Sequence, residues 1–131
     1  MLFRSYGGTD DWRVIPRDHR DFLRSGRPYH ETDTHVFVHA NYDPGLPLDQ
    51  QPSTALHWEH LKPEKAGPHY SGKVFVVGHT PQPEGRILDL GFVRCIDTDC
   101  CRGGWLTALD VTTDTYWQAS QAGQVRTGVL R

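Results

Sequence analysis

Two histidines in this chain each stand at the end of an apolar run. His39 closes His35-Val36-Phe37-Val38, and His79 follows Val74–Val77 across Gly78. The β-branched and aromatic side chains of each run read as a buried strand. Gly78 lets the backbone bend close to a ligand. Imidazole is the commonest nitrogen ligand for borderline divalent metals, and two of them at adjacent strand ends can converge on one ion. A single strand-end histidine is more simply a hydrogen-bonded one, so it is the pairing that carries the metal reading. A hydrolytic metal needs at least three protein ligands and an open position for water. Asn41, Asp43 and Asp97 are the nearby candidates for the remaining donors. Asp43 before Pro44 equally suits a turn, and Asp97 equally suits an Asx-turn ending a strand.

Other reactive side chains carry less. Cys95, Cys100 and Cys101 lack C-x-x-C spacing, and the adjacent pair does not easily ligate one ion, so the three read as structural thiols. Only Arg102 stands near them to lower a thiol pKa. Ser71-Gly72-Lys73 does not make a phosphate loop, because no Ser or Thr follows Lys73 and Lys73 opens a strand rather than a helix.

The elements that position these groups follow from pattern. Pro16 suits the start of a short helix over Arg17–Arg24, with Phe22 and Leu23 packing inward. His30–Asp33 is a polar lead into a strand at His35–His39. A second helix is expected from Pro52 through Leu61, with Leu56 and His60 four apart. Strands follow at Val74–Val77, Arg86–Leu90 and Phe92–Asp97. A hairpin joins Gly103–Val111 to Thr115–Ala119 through Thr112-Thr113-Asp114. Residues 121–131 read as a fraying tail. The pattern is α+β, biased to strand.

The 131 residues fit one domain. They divide into a helical lead-in over 1–30, a strand-rich core over 31–123 and a tail over 124–131. The balance of 14 Lys+Arg against 16 Asp+Glu calls for neither nucleic acid nor an anionic membrane as partner. The longest apolar run, Val74–Val77, is far short of a membrane span, and Met1–Arg4 lacks the apolar core of a signal peptide. Three cysteines are too few for a secreted disulfide framework. A cytoplasmic protein is expected.

With these residues in place a resemblance emerges. FVHANYDPGLPLDQQ, SGKVFVVGHTPQ, CIDTDCCRGGWLTALDV and YWQA occur in the order of the second half of a bacterial serine/threonine protein phosphatase. That family is the phosphoprotein phosphatase branch of the calcineurin-like metallophosphoesterases. The likeness covers roughly residues 30–123, and SYGG with IPRDHRDFL resembles the segment before the family's first histidine strand. The resemblance implies two packed mixed β-sheets flanked by helices and a dinuclear metal site at strand ends. Manganese is the expected metal, with iron or zinc as alternatives. It implies hydrolysis of a phosphoprotein or small phosphoester by metal-activated water, with His39 and His79 both on the second metal.

The sequence departs from the family in three places. Gly-Asp-x-His-Gly, Gly-Asp-x-x-Asp-Arg-Gly and Gly-Asn-His-Glu, which supply the other ligands, are absent. Trp58-Glu59-His60 stands where many relatives carry a phosphate-gripping arginine. Asp99 stands where relatives often have glycine. The chain is therefore expected to be an N-terminally truncated member, inactive alone. Unpaired edges are expected beside Val36–Val38 and Val74–Val77, where self-association would occur. The rival readings are a non-catalytic binding module or pseudoenzyme fragment, or a hydrolase of diadenosine tetraphosphate or another small phosphoester.

Overall fold

Val36, Val38, Phe75, Val77, Val93 and Cys95 alternate with other residues along three short runs, which puts all six on one face of a sheet. In the computed structural model, which describes residues 6–130, they form the core with Tyr42, Leu56 and Leu61. Expectations for residues 1–5 and 131 lie outside the described residues. The sheet runs β1 (Tyr29–Glu31), β2 (His35–Val38), β3 (Val74–Val77), β5 (Val93–Cys95), β4 (Leu88–Asp89). β2, β3 and β5 are parallel neighbours, while β1 and β4 close the edges antiparallel. A second sheet, β6 (Trp105–Asp110), β7 (Thr115–Ser120) and β8 (Val125–Val129), is an antiparallel meander. The architecture is mixed α+β, with two sheets and few helices. No helix among the described residues is long and apolar enough to cross a membrane.

The structure corrects several expectations. β2 and β3 have neighbours on both sides, supplied by this chain, so the unpaired edges lie at β1 and β4 instead. The second sheet is wholly antiparallel rather than mixed. The tail does not fray: Val125–Val129 is β8. It is held because Arg126 donates to the Gly85 carbonyl at 2.8 Å and stacks 4.0 Å over the Trp105 ring. Gln118 donates to the same carbonyl at 2.8 Å.

The helix α1 (Arg17–Arg24) has the expected bounds but the opposite facing. Arg20 and Arg24, one turn apart, lie over the Trp12 ring at 5.2 and 4.8 Å. That choice of face leaves Phe22 and Leu23 exposed rather than packed inward. The helix α2 is shorter than expected, Ser53–Trp58, because Glu59 turns to an extended conformation and its N–H closes a wide turn onto the Thr54 carbonyl. Ala55 and Leu56 are its buried residues.

The two sheets are tied by an ion-pair network. Arg94 on β5 reaches Asp89 at 3.2 Å and Asp114, in the β6–β7 turn, at 2.6 Å. They are also tied by close backbone approach. A Cβ on Gly104 would overlap the carbonyls of Thr98 and Asp99, which bridge to Trp105.

His35, on the face opposite the core, is buried and donates to or accepts from Thr34 Oγ1 through Nδ1 at 2.8 Å, while its Nε2 has no partner. Burial, and then the Arg94 charge, hold its pKa below the ordinary imidazole value. The unfolded chain therefore binds a proton more readily than the fold does. This contribution to stability is fully present above about pH 6.5 and is lost as the pH falls below it. Denaturation midpoints with a chelator present are expected to fall between pH 7.5 and 5.5, and His35→Phe is expected to flatten that slope. A midpoint that rises on acidification would contradict this assignment.

Candidate metal centre

β2, β3 and β5 run parallel, so their carboxyl ends lie along one rim, and ligands in such sheets bind outside that rim. His39 directly follows β2, His79 stands two residues past β3, and Asp97 stands two residues past β5. Gly78 N–H donates to the His39 carbonyl at 2.9 Å, which locks the two histidine-bearing ends together. The result is direct contact: His39 Nε2 lies 3.1 Å from His79 Nδ1.

His79 has φ +63°, a left-handed backbone that costs an ordinary residue about 1–2 kcal/mol. Its surroundings over-determine that conformation. Thr80 N–H donates to the Gly78 carbonyl at 2.7 Å, and Thr80 Oγ1 accepts from Leu61 N–H at 2.8 Å. The Cys95 thiol points at the Gly78 and Thr80 carbonyls, 3.7 and 3.3 Å away, on either side of His79. Burial pushes the Cys95 pKa up, which keeps the thiol protonated and donating.

The tautomer follows from one further contact. His79 Nε2 lies 3.2 Å from the Trp58 carbonyl. A carbonyl only accepts, so Nε2 carries the proton and Nδ1 accepts from His39 Nε2–H; an ion between the rings would take the place of that proton, with His39 carrying its own on Nδ1. The early end of α2 turns that carbonyl away from further helix and toward the site. His39 is exposed at its outer edge, yet partial desolvation holds its pKa below the ordinary value; the His79 and His57 imidazoles add to this and Asp97 opposes it.

These features fit a divalent ion. Metal–nitrogen bonds of about 2.0–2.1 Å at near-tetrahedral angles need nitrogens roughly 3.3 Å apart, and the observed 3.1 Å is close to that. A carbonyl on the far nitrogen is the usual way a ligating histidine is oriented. Depressed proton affinity at His39 also lowers competition from protons.

The other candidates divide. Asp97 sits by the pair, its Cβ 4.0 Å from where a Gly78 Cβ would stand, and its Oδ1 accepts from Asp99 N–H at 3.1 Å as an Asx-turn. Asp43 is engaged in its own turn, Oδ1 accepting from Gly45 N–H at 2.8 Å. Asn41 Oδ1 accepts from Tyr42 N–H, and its Nδ2 lies 3.5 Å from the His60 carbonyl. Among the described residues no three His, Cys, Asp or Glu side chains gather as a metal-ligating group. The donors brought into contact here are the two imidazole nitrogens.

His60 is the residue that pattern reading misplaces. Expected on α2, it lies beyond that helix with its ring centroid 4.9 Å from that of His79. Asp99 adopts φ +63°, a left-handed backbone that aspartate tolerates better than most residues. The three cysteines are free: Cys95 buried, Cys100 half-buried and Cys101 exposed.

No protein-family model, no curated protein and no solved structure matches this chain.

Proposed function

We propose that His39 Nε2 and His79 Nδ1 together hold one divalent ion, manganese being the first candidate, in a phosphoester-hydrolysing site. The site is of the serine/threonine phosphoprotein phosphatase kind, within a calcineurin-like metallophosphoesterase fold. The observation that carries the reading is the 3.1 Å approach of those two nitrogens, with the His79 tautomer set by the Trp58 carbonyl. The left-handed backbone at His79 supports it, since such strain concentrates at functional positions. The chemistry supplied when an ion is bound is Lewis-acid activation of water toward a phosphoester. The chain's own part is to place two imidazole nitrogens side by side. Trp58 orients one ring through its carbonyl, Cys95 and Thr80 hold the turn, and Asp97 lends negative charge to the rim. Two nitrogens are fewer than a hydrolytic metal requires, so the chain by itself is expected to be inactive toward an aryl phosphate.

Calorimetric titration with manganese and with zinc tests this. His39→Ala, His79→Ala and the double variant are expected to lose binding to about the same degree, because ligands of one ion are non-additive. Binding is expected to fade below about pH 6, where imidazole protonates. Independent, additive losses would place the two side chains at separate sites.

A second reading, a non-catalytic binding module, is favoured by one feature. The outer face of the second sheet exposes Leu106, Trp117 and Val125 together. Full metal-binding competence in a Trp117→Lys variant would show the two features to be separable.

A further inference from the structure

A cavity of about 520 Å³ opens beside His60, lined by Asn41, Tyr42, Glu59, His60, Lys62 and Lys65 among others. His60 belongs to both places, lining the cavity while its ring stands 4.9 Å from His79. The Lys62 carbonyl accepts from Lys65 N–H at 2.9 Å and from Ala66 N–H at 3.0 Å, so one tight turn brings both lysines to the same wall. Both are exposed, and among the described residues neither enters an ion pair. The Tyr42 hydroxyl is already engaged, donating to the Gly67 carbonyl at 2.7 Å. The lining residues thus include two lysines and one acidic residue, Glu59, in a chain whose formal net charge is −2. Their net sign is local and opposite to that of the chain as a whole.

We propose that this cavity binds a second anionic group of the substrate, a phosphate or carboxylate next to the phosphoester presented to His39 and His79. Ammonium groups suit either anion, and charge-assisted hydrogen bonds are the stronger kind. A substrate spanning both places passes the His60 ring at their junction. The cavity lies in the size range of small-molecule sites, about 300–1,000 Å³. The identity of the first group rests on the phosphoesterase reading, whereas anion capture by Lys62 and Lys65 does not.

The test uses the full chain without added metal and reads binding by calorimetry. Tripolyphosphate is compared with orthophosphate, and a phosphoserine peptide followed by two glutamates with one followed by two glutamines. The doubly anionic probe of at least one pair is expected to bind more tightly. Lys62→Gln with Lys65→Gln is expected to weaken that probe on the order of tenfold and to leave the thermal melt unchanged, since both side chains are exposed. Loss for tripolyphosphate alone identifies the second anion as phosphate, and loss for the glutamate peptide alone identifies it as carboxylate. Equal binding of both probes by wild type and variant overturns the proposal. Lysine-dependent binding in a chain that takes up no manganese would support this inference while removing the phosphoesterase reading.

Discussion

His79→Gly is expected to abolish divalent-metal binding while leaving the fold as stable as before or slightly more so. His79 holds a left-handed backbone at φ +63°, and relief of that strain is worth about 1–2 kcal/mol. Glycine returns about 0.5–1 kcal/mol of this through the greater entropy of its unfolded chain. The lost contact with the Trp58 carbonyl takes part of the remainder. Metal affinity, by contrast, loses one of two contacting nitrogens and should fall by about two orders of magnitude or more; even an orienting partner is worth about 10–100-fold. His79→Ala loses the metal too but keeps the strain, so it should melt below His79→Gly. A glycine variant that melts well below wild type would show that the imidazole serves the fold rather than a ligand.

Phe75→Ala is expected to have the largest effect on stability. Phe75 is fully buried on β3, its ring 3.8 Å from that of Tyr42 in a stacked pair and 5.1 Å from that of His69. His69 is itself fixed, Nε2–H donating to the Leu46 carbonyl at 2.8 Å and Nδ1 facing Ser71 Oγ at 2.7 Å. Neither wall can follow the lost ring inward, so the cavity stays open. Truncations of this kind cost about 3–5 kcal/mol, a large part of the roughly 5–15 kcal/mol that holds a domain together. Because β3 leads directly into His79, metal binding should weaken along with the melt. Urea denaturation measures the loss, and a cost below about 1 kcal/mol would show that the core relaxes around the gap.

The parts legible in the sequence are those where local pattern and tertiary role agree. Val74–Val77 reads as a buried strand because it is one, with both edges paired. The β6–β7 hairpin shows itself through Thr112-Thr113-Asp114, where Asp114 takes φ +58°. Elements set by distant partners were not legible. Tyr29–Glu31 has no apolar pattern because an edge strand half in solvent needs none. Val125–Val129 contains Gly128, which weakens a strand on paper; in the fold the Tyr116 ring occupies the space where a side chain would stand. Phe22 and Leu23 look like core, yet the cation–π contacts of Arg20 and Arg24 with Trp12 select another face of α1.

The same division holds at the site. His39 and His79 stand out because each ends an apolar strand, and the structure brings them into contact. The Trp58 carbonyl is a backbone group released by the early end of α2, so no residue type announces it. Lys62 and Lys65 gain their meaning from the turn between them and the cavity beside it, neither of which spacing alone reveals.

The most direct measurement follows the imidazole nitrogens themselves. Long-range proton–nitrogen correlation spectra of the full chain, recorded at pH 7.5 while zinc is added, report which ring nitrogens lose their lone pair to a metal. His39 Nε2 and His79 Nδ1 are expected to shift together, reaching one end point at a single equivalent. His79 Nε2 should remain protonated toward Trp58, and His69 should not move. Separate end points for the two rings, or first movement at another histidine, would contradict a shared metal centre at these strand ends.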